Sequence, residues 1–244
     1  MRYAVFSDVH ANLEALETVL ADAARHRPEA YVCLGDVVGY GPDPNECVAR
    51  VQALGGDVIA GNHDRAAVGS ADLELFSPLA RTAIEWTMGV LSGETRSFLV
   101  SLPLRLETPG FLAVHGSPRD PVDEYILDLP TALAVFNDSH FGLCLVGHSH
   151  VPGAFVLRGD GRVGTRGLTP GEAVRLARGS RYIVNVGSVG QPRDGDPRAS
   201  YLLLDTGSRT VTLRRIRYPI TATQEKMIAR GLPALLARRL SAGL

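Results

Sequence analysis

Lysine is nearly missing from this 244-residue sequence: of its 25 basic side chains, all but Lys226 are arginine. The bias reads as genome composition, although the planar arginine fork also suits paired contacts to oxyanions. An excess of either charge is missing too, with 25 Lys plus Arg set against 26 Asp plus Glu. Without a basic field there is no means of capturing extended nucleic acid through its phosphates. Only three cysteines occur, Cys33, Cys47 and Cys144, odd in number and with no C-x-x-C pair. That excludes a disulfide framework and a thiolate zinc site, and leaves reduced core thiols. No stretch approaches the roughly 18 apolar residues of a membrane span, and no basic segment runs into an apolar stretch and a cleavage site at the start. A soluble cytoplasmic protein without membrane contact is therefore expected. Internal repeats and low-complexity tracts are also lacking. What is present is a 45% hydrophobic content, enough for one substantial core. The expectation is a single domain over residues 1–244.

The first sixty residues alternate short apolar runs with helical patterns. Tyr3 to Phe6, Tyr31 to Leu34 and Val58 to Ala60 read as strands, separated by helices from about Leu13 and from Asp43. This is the β-α-β-α-β rhythm of a parallel sheet. Leu13, Leu16, Leu20 and Ala23 share one face of the first helix and read as core. Asp43-Pro44-Asn45-Glu46 carries the signals of a helix start, with Asp43 as the cap and Pro44 in the first turn. From about 65 to 106 the pattern becomes a helical excursion around Trp86, broken at Gly93 and Pro103. Strand-like runs return at Phe111 to Val114, Leu143 to Val146, Ala154 to Leu157, Tyr182 to Val186, Tyr201 to Leu204 and Val211 to Arg217. The later ones lack intervening helices, which predicts antiparallel pairing in a second sheet. Thr221 to Leu240 reads as helix, restarting at Pro233.

Five polar clusters stand just past the ends of apolar runs: Asp8-Val9-His10, Gly35-Asp36, Gly61-Asn62-His63-Asp64, His115-Gly116 and Gly147-His148-Ser149-His150. In open α/β sheets ligands bind beyond the carboxyl ends of strands, so the clusters can meet in one site. Each alone is a turn or a chance pair, and only the ordered set is specific. Five of the seven histidines belong to it, leaving His26 and His140 as structural or exposed residues. Asp8, His10, Asp36, Asn62, His115, His148 and His150 supply seven candidate metal ligands, too many for one tetrahedral ion. Two ions sharing Asp36 would each gain four protein ligands and keep positions open for water and substrate. Imidazole, carboxylate and amide without thiolate suit manganese, iron or zinc.

The ordered set D-x-H, G-D, G-N-H-D, H-G and G-H-S-H resembles the calcineurin-like metallophosphoesterase superfamily over residues 8 to 150. The resemblance implies a four-layer αββα sandwich, two mixed β-sheets flanked by helices. It implies that Asp8, His10, Asp36 and His150 hold one ion, and Asp36, Asn62, His115 and His148 the other. It also implies that His63 acts on the leaving group without ligating, with Asp64 orienting it. The expected reaction is hydrolysis of a small phosphorylated molecule, a diester, monoester or nucleotide, by a metal-bridging hydroxide.

A later segment, Asn185 to Asp194, resembles the N-x-G-S-V-G-Q-P-R stretch of small prokaryotic members, and its Arg193 is a candidate phosphate contact, with a loop salt bridge as the alternative. Arg119 is a weaker candidate that could equally be a solvated turn residue. Protein phosphatases of this superfamily continue the second motif as G-D-x-x-D-R-G. Here Gly35-Asp36 runs into Val37-Val38-Gly39-Tyr40-Gly41-Pro42, which counts against protein substrates. The chain is more similar to small bacterial and archaeal phosphodiesterases, a group that includes dinucleoside polyphosphate hydrolases. Tyr40 is then a candidate base platform or a residue packed on the neighbouring helix. Two other classes compete: a nuclease, which the charge balance disfavours, and a catalytically silent metal-binding scaffold, which would have eroded ligands.

Overall fold

The computed structural model describes residues 1–244. Its strands are β1 (Arg2–Phe6), β2 (Ala30–Cys33), β3 (Asp57–Val58), β4 (Arg105–Glu107), β5 (Leu112–Val114), β6 (Leu143–Val146), β7 (Gly153–Leu157), β8 (Val163–Arg166), β9 (Ala173–Arg175), β10 (Arg181–Asn185), β11 (Ala199–Asp205) and β12 (Thr210–Ile216). The helices are α1 (Leu13–Arg25), α2 (Pro44–Gln52), α3 (Asn62–Ala67), α4 (Pro78–Val90), α5 (Gly93–Ser101), α6 (Leu129–Asp138), α7 (Ile220–Ala229) and α8 (Ala234–Ala242).

Two six-stranded mixed sheets form, ordered β3-β2-β1-β11-β12-β9 and β4-β5-β6-β10-β7-β8. In the first, β1, β2 and β3 run parallel, as their helical crossovers require. In the second, β5, β6 and β10 run parallel. Of the late strands, β7, β8 and β10 pair antiparallel in the second sheet, as their helix-free spacing predicts, but β11 and β12 do not join it. Instead β11 crosses back to lie antiparallel beside β1, and β12 and β9 extend that first sheet. A hairpin rhythm specifies antiparallel neighbours but not which sheet edge the hairpin joins, and the free edge of β1 takes it.

Strand alternation then sorts side chains into layers. Val5, Val32, Leu34 and Leu202 face Leu143, Leu145 and Val184 between the sheets. Their neighbours Ala4, Phe6, Cys33 and Tyr201 turn outward onto Ala15, Leu16, Val19, Leu20, Cys47 and Val48 of α1 and α2. Across the molecule, Val114, Cys144, Val146 and Ile183 meet Ala132, Val135 and Phe136 of α6. The result is helices, sheet, sheet and helix, the four-layer αββα sandwich that the motifs imply. All three cysteines are free and buried. No helix is long and apolar enough to cross a membrane.

Two helix starts differ from the sequence reading in instructive ways. Asp43 makes no side-chain cap on α2; its carboxylate instead takes Lys226 at 2.8 Å and Arg230 at 3.2 Å, tying the C-terminal helices to the first half of the chain. The glycine expected to break the excursion, Gly93, is the first residue of α5, because Ser92 accepts from Thr95 N and caps a new helix there.

Candidate functional site

The parallel strands of both sheets end on the same side, and the polar clusters follow them directly: Asp8 after β1, Asp36 after β2, His115 after β5, His148 and His150 after β6, and Arg193 beyond β10. Backbone bonds continue the ladders past the strand ends, with Asp8 N donating to Gly35 O at 3.0 Å and His10 N to Asp36 O at 2.9 Å. Gly190 N donates to Asp8 O at 2.8 Å, and His148 N reaches the Asp8 carboxylate at 3.2 Å, so the two sheets are sewn together at the site. This framework holds Asp8, His10, Asp36, His148 and His150 at positive φ of 48° to 65°. Each such conformation costs about 1–3 kcal/mol and persists only where its surroundings over-determine it. Five strained residues in one crevice mark a site that stability alone would not build.

All seven candidate ligands come together, and all are at most 8% exposed. Oδ2 of Asp36 lies 3.6 Å from Nε2 of His10 and 3.4 Å from Nε2 of His115, between the two halves of the set. On one side, His150 Nε2 is 3.3 Å from Asp8 Oδ1 and 3.2 Å from His10 Nε2. On the other, His115 Nε2 is 3.2 Å from Asn62 Oδ1, and the His115 and His148 rings are 4.9 Å apart. His26 and His140 lie elsewhere: His26 is 3.8 Å from Asp22, and His140 is exposed.

The tautomers follow from the outer hydrogen bonds. Nδ1 of His10 faces Val38 O at 3.2 Å, Nδ1 of His115 faces Leu34 O at 2.8 Å, and Nδ1 of His150 faces Gln191 O at 2.5 Å. A carbonyl only accepts, so each Nδ1 must carry the proton. In neutral imidazoles this leaves the Nε2 lone pairs of His10 and His150 facing each other with no proton between them, beside the unpartnered, buried Asp8 Oδ1. His148 is turned the other way, with Nε2 on the Asp123 carbonyl at 3.1 Å, which frees Nδ1. Converging lone pairs and an orphaned carboxylate oxygen are what cations fit, and thiolate is absent.

Electrostatics agree with this donor set. Burial holds His10 and His150 well below the ordinary histidine value and pulls His148 down to about 3, so all three are neutral. Burial pushes Asp8 up to about 7. For Asp36, burial is outweighed by its neighbours, His115 foremost, and its pKa falls well below the carboxylate range. At His115 burial is outweighed by Asp36 and Asp8, which draw it up to about 10. The two carboxylates thus demand positive charge at the centre of the cluster.

His63 stands at the edge of this set, its ring 4.8 Å from His10 and 4.4 Å from Tyr40. Its Nδ1 is buried without a partner, and burial pulls its pKa down to about 4. Asp64 does not orient it. The Asp64 carboxylate accepts from Val38 N at 3.1 Å, in the loop after β2, and from Gly61 N at 3.0 Å, at the start of α3, holding the two metal-motif loops together. His63 is placed instead by its own backbone N–H, which donates to Asp36 Oδ1 at 2.8 Å.

Arg193 is half-buried, with one terminal nitrogen 3.3 Å from the Tyr40 hydroxyl and 3.0 Å from Gln191 Oε1, and Nε without a partner. It makes no salt bridge, so the loop ion pair is not its role. Arg119 is the turn residue, engaged by Glu124 and by Asp138 at 3.2 Å. Tyr40 is 7% exposed and packs on α4, α7 and α8, which removes it as a base platform. Sequence reasoning did not single out Asp123, Gln191 and Leu34, which act through backbone carbonyls that no residue type announces. It also missed Tyr125, whose ring stacks on His148 with centroids 3.7 Å apart. An aromatic ten residues beyond His115 carries no spacing signal.

Close packing of backbone is part of the construction. A Cβ on Gly61 would overlap the Asp36 carboxylate, and one on Gly147 would overlap Ser7 Oγ. Gly61→Ala is therefore expected to cost about 1–3 kcal/mol through overpacking. Thermal unfolding of the purified variant measures this, and an unchanged melting midpoint would contradict it.

A four-layer sandwich carrying an acid and histidine cluster of this order defines a class of metal-binding phosphoesterase folds. The chain belongs to the calcineurin-like phosphoesterase superfamily, whose domain model matches residues 1–209. It is 38% identical over 246 residues to an uncharacterized protein of Methanocaldococcus jannaschii, covering 98% of this chain and 97% of that one. The crystal structure of a metallophosphoesterase from Sphaerobacter thermophilus is 45% identical and superposes with a TM-score of 0.89 over 100% of this chain and 99% of that one. A hypothetical protein from Pyrococcus horikoshii shares the fold at 21% identity, with a TM-score of 0.82 over 100% and 98% of the two chains.

Proposed function

We propose that this chain is a binuclear metal-dependent hydrolase of small phosphorylated molecules, with Asp8, His10, Asp36 and His150 holding one ion and Asp36, Asn62, His115 and His148 the other. The observation that carries this reading is the single oxygen, Asp36 Oδ2, set between the Nε2 atoms of His10 and His115. Bound there, a pair of manganese, iron or zinc ions would supply an activated water and neutralise phosphoryl oxygens. The protein's own groups do the rest. Nδ1 donation to backbone carbonyls holds the imidazoles as lone-pair donors. Asn62 contributes a neutral oxygen, which preserves positive charge where the phosphoryl group develops negative charge. Arg193, which has no carboxylate partner and whose Nε is unpaired, offers its guanidinium to a non-bridging phosphate oxygen. His63, a neutral imidazole with a ring nitrogen free of partners, donates a hydrogen bond to the departing ester oxygen as its bond to phosphorus breaks. Asp64 is a positioning residue that fixes the turn bearing His63.

The scaffold alternative gains no support, since every expected donor is present and convergent. The test is to strip the protein with a chelator and add back manganese, iron or zinc singly, measuring bound metal and hydrolysis of bis(p-nitrophenyl) phosphate. Two ions per chain and restored hydrolysis with at least one metal are expected. No uptake together with no hydrolysis would overturn the proposal.

A further inference from the structure

We propose that Tyr125 is a substrate-binding residue that favours phosphoesters whose organic group carries a flat aromatic ring, either a nucleobase or an aryl group. The proposal rests on the phosphoesterase reading above and names its substrate class.

Tyr125 lies over His148 at an interplanar angle of 22°, yet it is 45% exposed, while the seven candidate ligands beneath are almost fully buried. It is thus a solvent-exposed aromatic with one face on the cluster. The remaining aromatics nearby are committed elsewhere. Tyr40 is wedged between His10 and His63, and Phe76, edge-on to His63 at 5.3 Å, packs into the apolar cluster of α4 and the C-terminal helices.

The loop carrying Tyr125 is pinned. Gly116 N donates to Pro121 O at 2.8 Å, Ser117 N donates to Asp120 O at 2.8 Å, and Arg119 holds the neighbouring Glu124. Two residues before the ring, the Asp123 carbonyl meets His148 Nε2 at 3.1 Å. An exposed aromatic held in place loses little further freedom when a ligand stacks on it, which is the condition for an effective platform. Every nucleobase and every aryl ring presents a π-face to such a platform, so recognition is by ring and not by base identity. Arg193, whose charge acts on the Tyr125 phenol, would receive the phosphate of the same ligand. Ring and phosphate are then bound by two loops, one following each of two strands of the second sheet.

The experiment uses the metal-loaded full chain and competitive inhibition of bis(p-nitrophenyl) phosphate hydrolysis. AMP and ribose 5-phosphate share sugar and phosphate and differ by the base; phenyl phosphate and inorganic phosphate form the aryl pair. AMP or phenyl phosphate should bind more tightly than its ringless counterpart, on the order of tenfold, and which pair shows the larger ratio separates a nucleotide from an aryl ligand. Tyr125→Leu should collapse that ratio at unchanged bound metal, whereas Tyr125→Phe and Tyr125→Trp should keep it. Ratios near one in the wild type, or equal weakening of ring-bearing and ringless inhibitors by Tyr125→Leu, would overturn the proposal while hydrolysis itself stands. Absence of metal-dependent hydrolysis in the wild type would instead remove the underlying phosphoesterase reading and this proposal with it.

Discussion

Asp36→Asn is expected to bind the metal pair poorly and to lose at least about a hundredfold in turnover, more than is typical for removing an outer hydrogen-bond partner of a metal ligand. The substitution is nearly isosteric, and its amide oxygen can still accept from His63 N, as Asp36 Oδ1 does at 2.8 Å. The fold and the His63 turn should therefore survive. What changes is the atom at the Oδ2 position, which lies between His10 and His115 and would become an amide NH2. A donor without charge cannot bridge two cations, and the demand for positive charge that Asp36 imposes on His115 disappears. Elemental analysis of the purified variant, with circular dichroism to confirm folding, reads the outcome. Two tightly held ions per chain in Asp36→Asn would refute the bridging role.

The second large effect is expected from His63→Ala, which should keep its metals and lose on the order of 10²–10⁴ in turnover on esters with basic leaving groups. Loss on p-nitrophenyl esters should be much smaller, because a stable phenolate departs without help. The contrast between substrates separates a role at the leaving oxygen from general damage to the site. His63 is suited to such a test because its side chain has no hydrogen-bond partner to orphan, and its backbone contact to Asp36 survives truncation. Equal activity of variant and wild type on alkyl esters would remove His63 from the mechanism.

The chemical inventory was legible before any fold was known because each donor lies within four residues of a strand end or helix start, so short motifs preserve it. The parallel first half was legible for the same reason: β1, α1, β2, α2 and β3 alternate in period and are joined by local crossovers. The placement of β11 and β12 was not, because register with β1 is a contact between residues some 200 positions apart in sequence, as Arg2 with Asp205. Asp64 shows the same limit at a single side chain. Its adjacency to His63 suggested an orienting carboxylate, but Val38 N, 26 residues away, is one of the two donors that consume it. Tyr40 and Tyr125 exchange places in the same manner, since burial against the C-terminal helices depends on a part of the chain that the Tyr40 motif does not see.

From residue order alone come the family, the two-sheet class and the roster of nitrogen and oxygen donors, since these depend on local pattern and on chemistry that each side chain carries with it. Folding decided which nitrogen of each histidine is free, which carboxylate oxygen faces both halves of the cluster, and which tyrosine meets solvent. Those properties belong to pairs of groups, and the partner in each pair is supplied by a distant strand end.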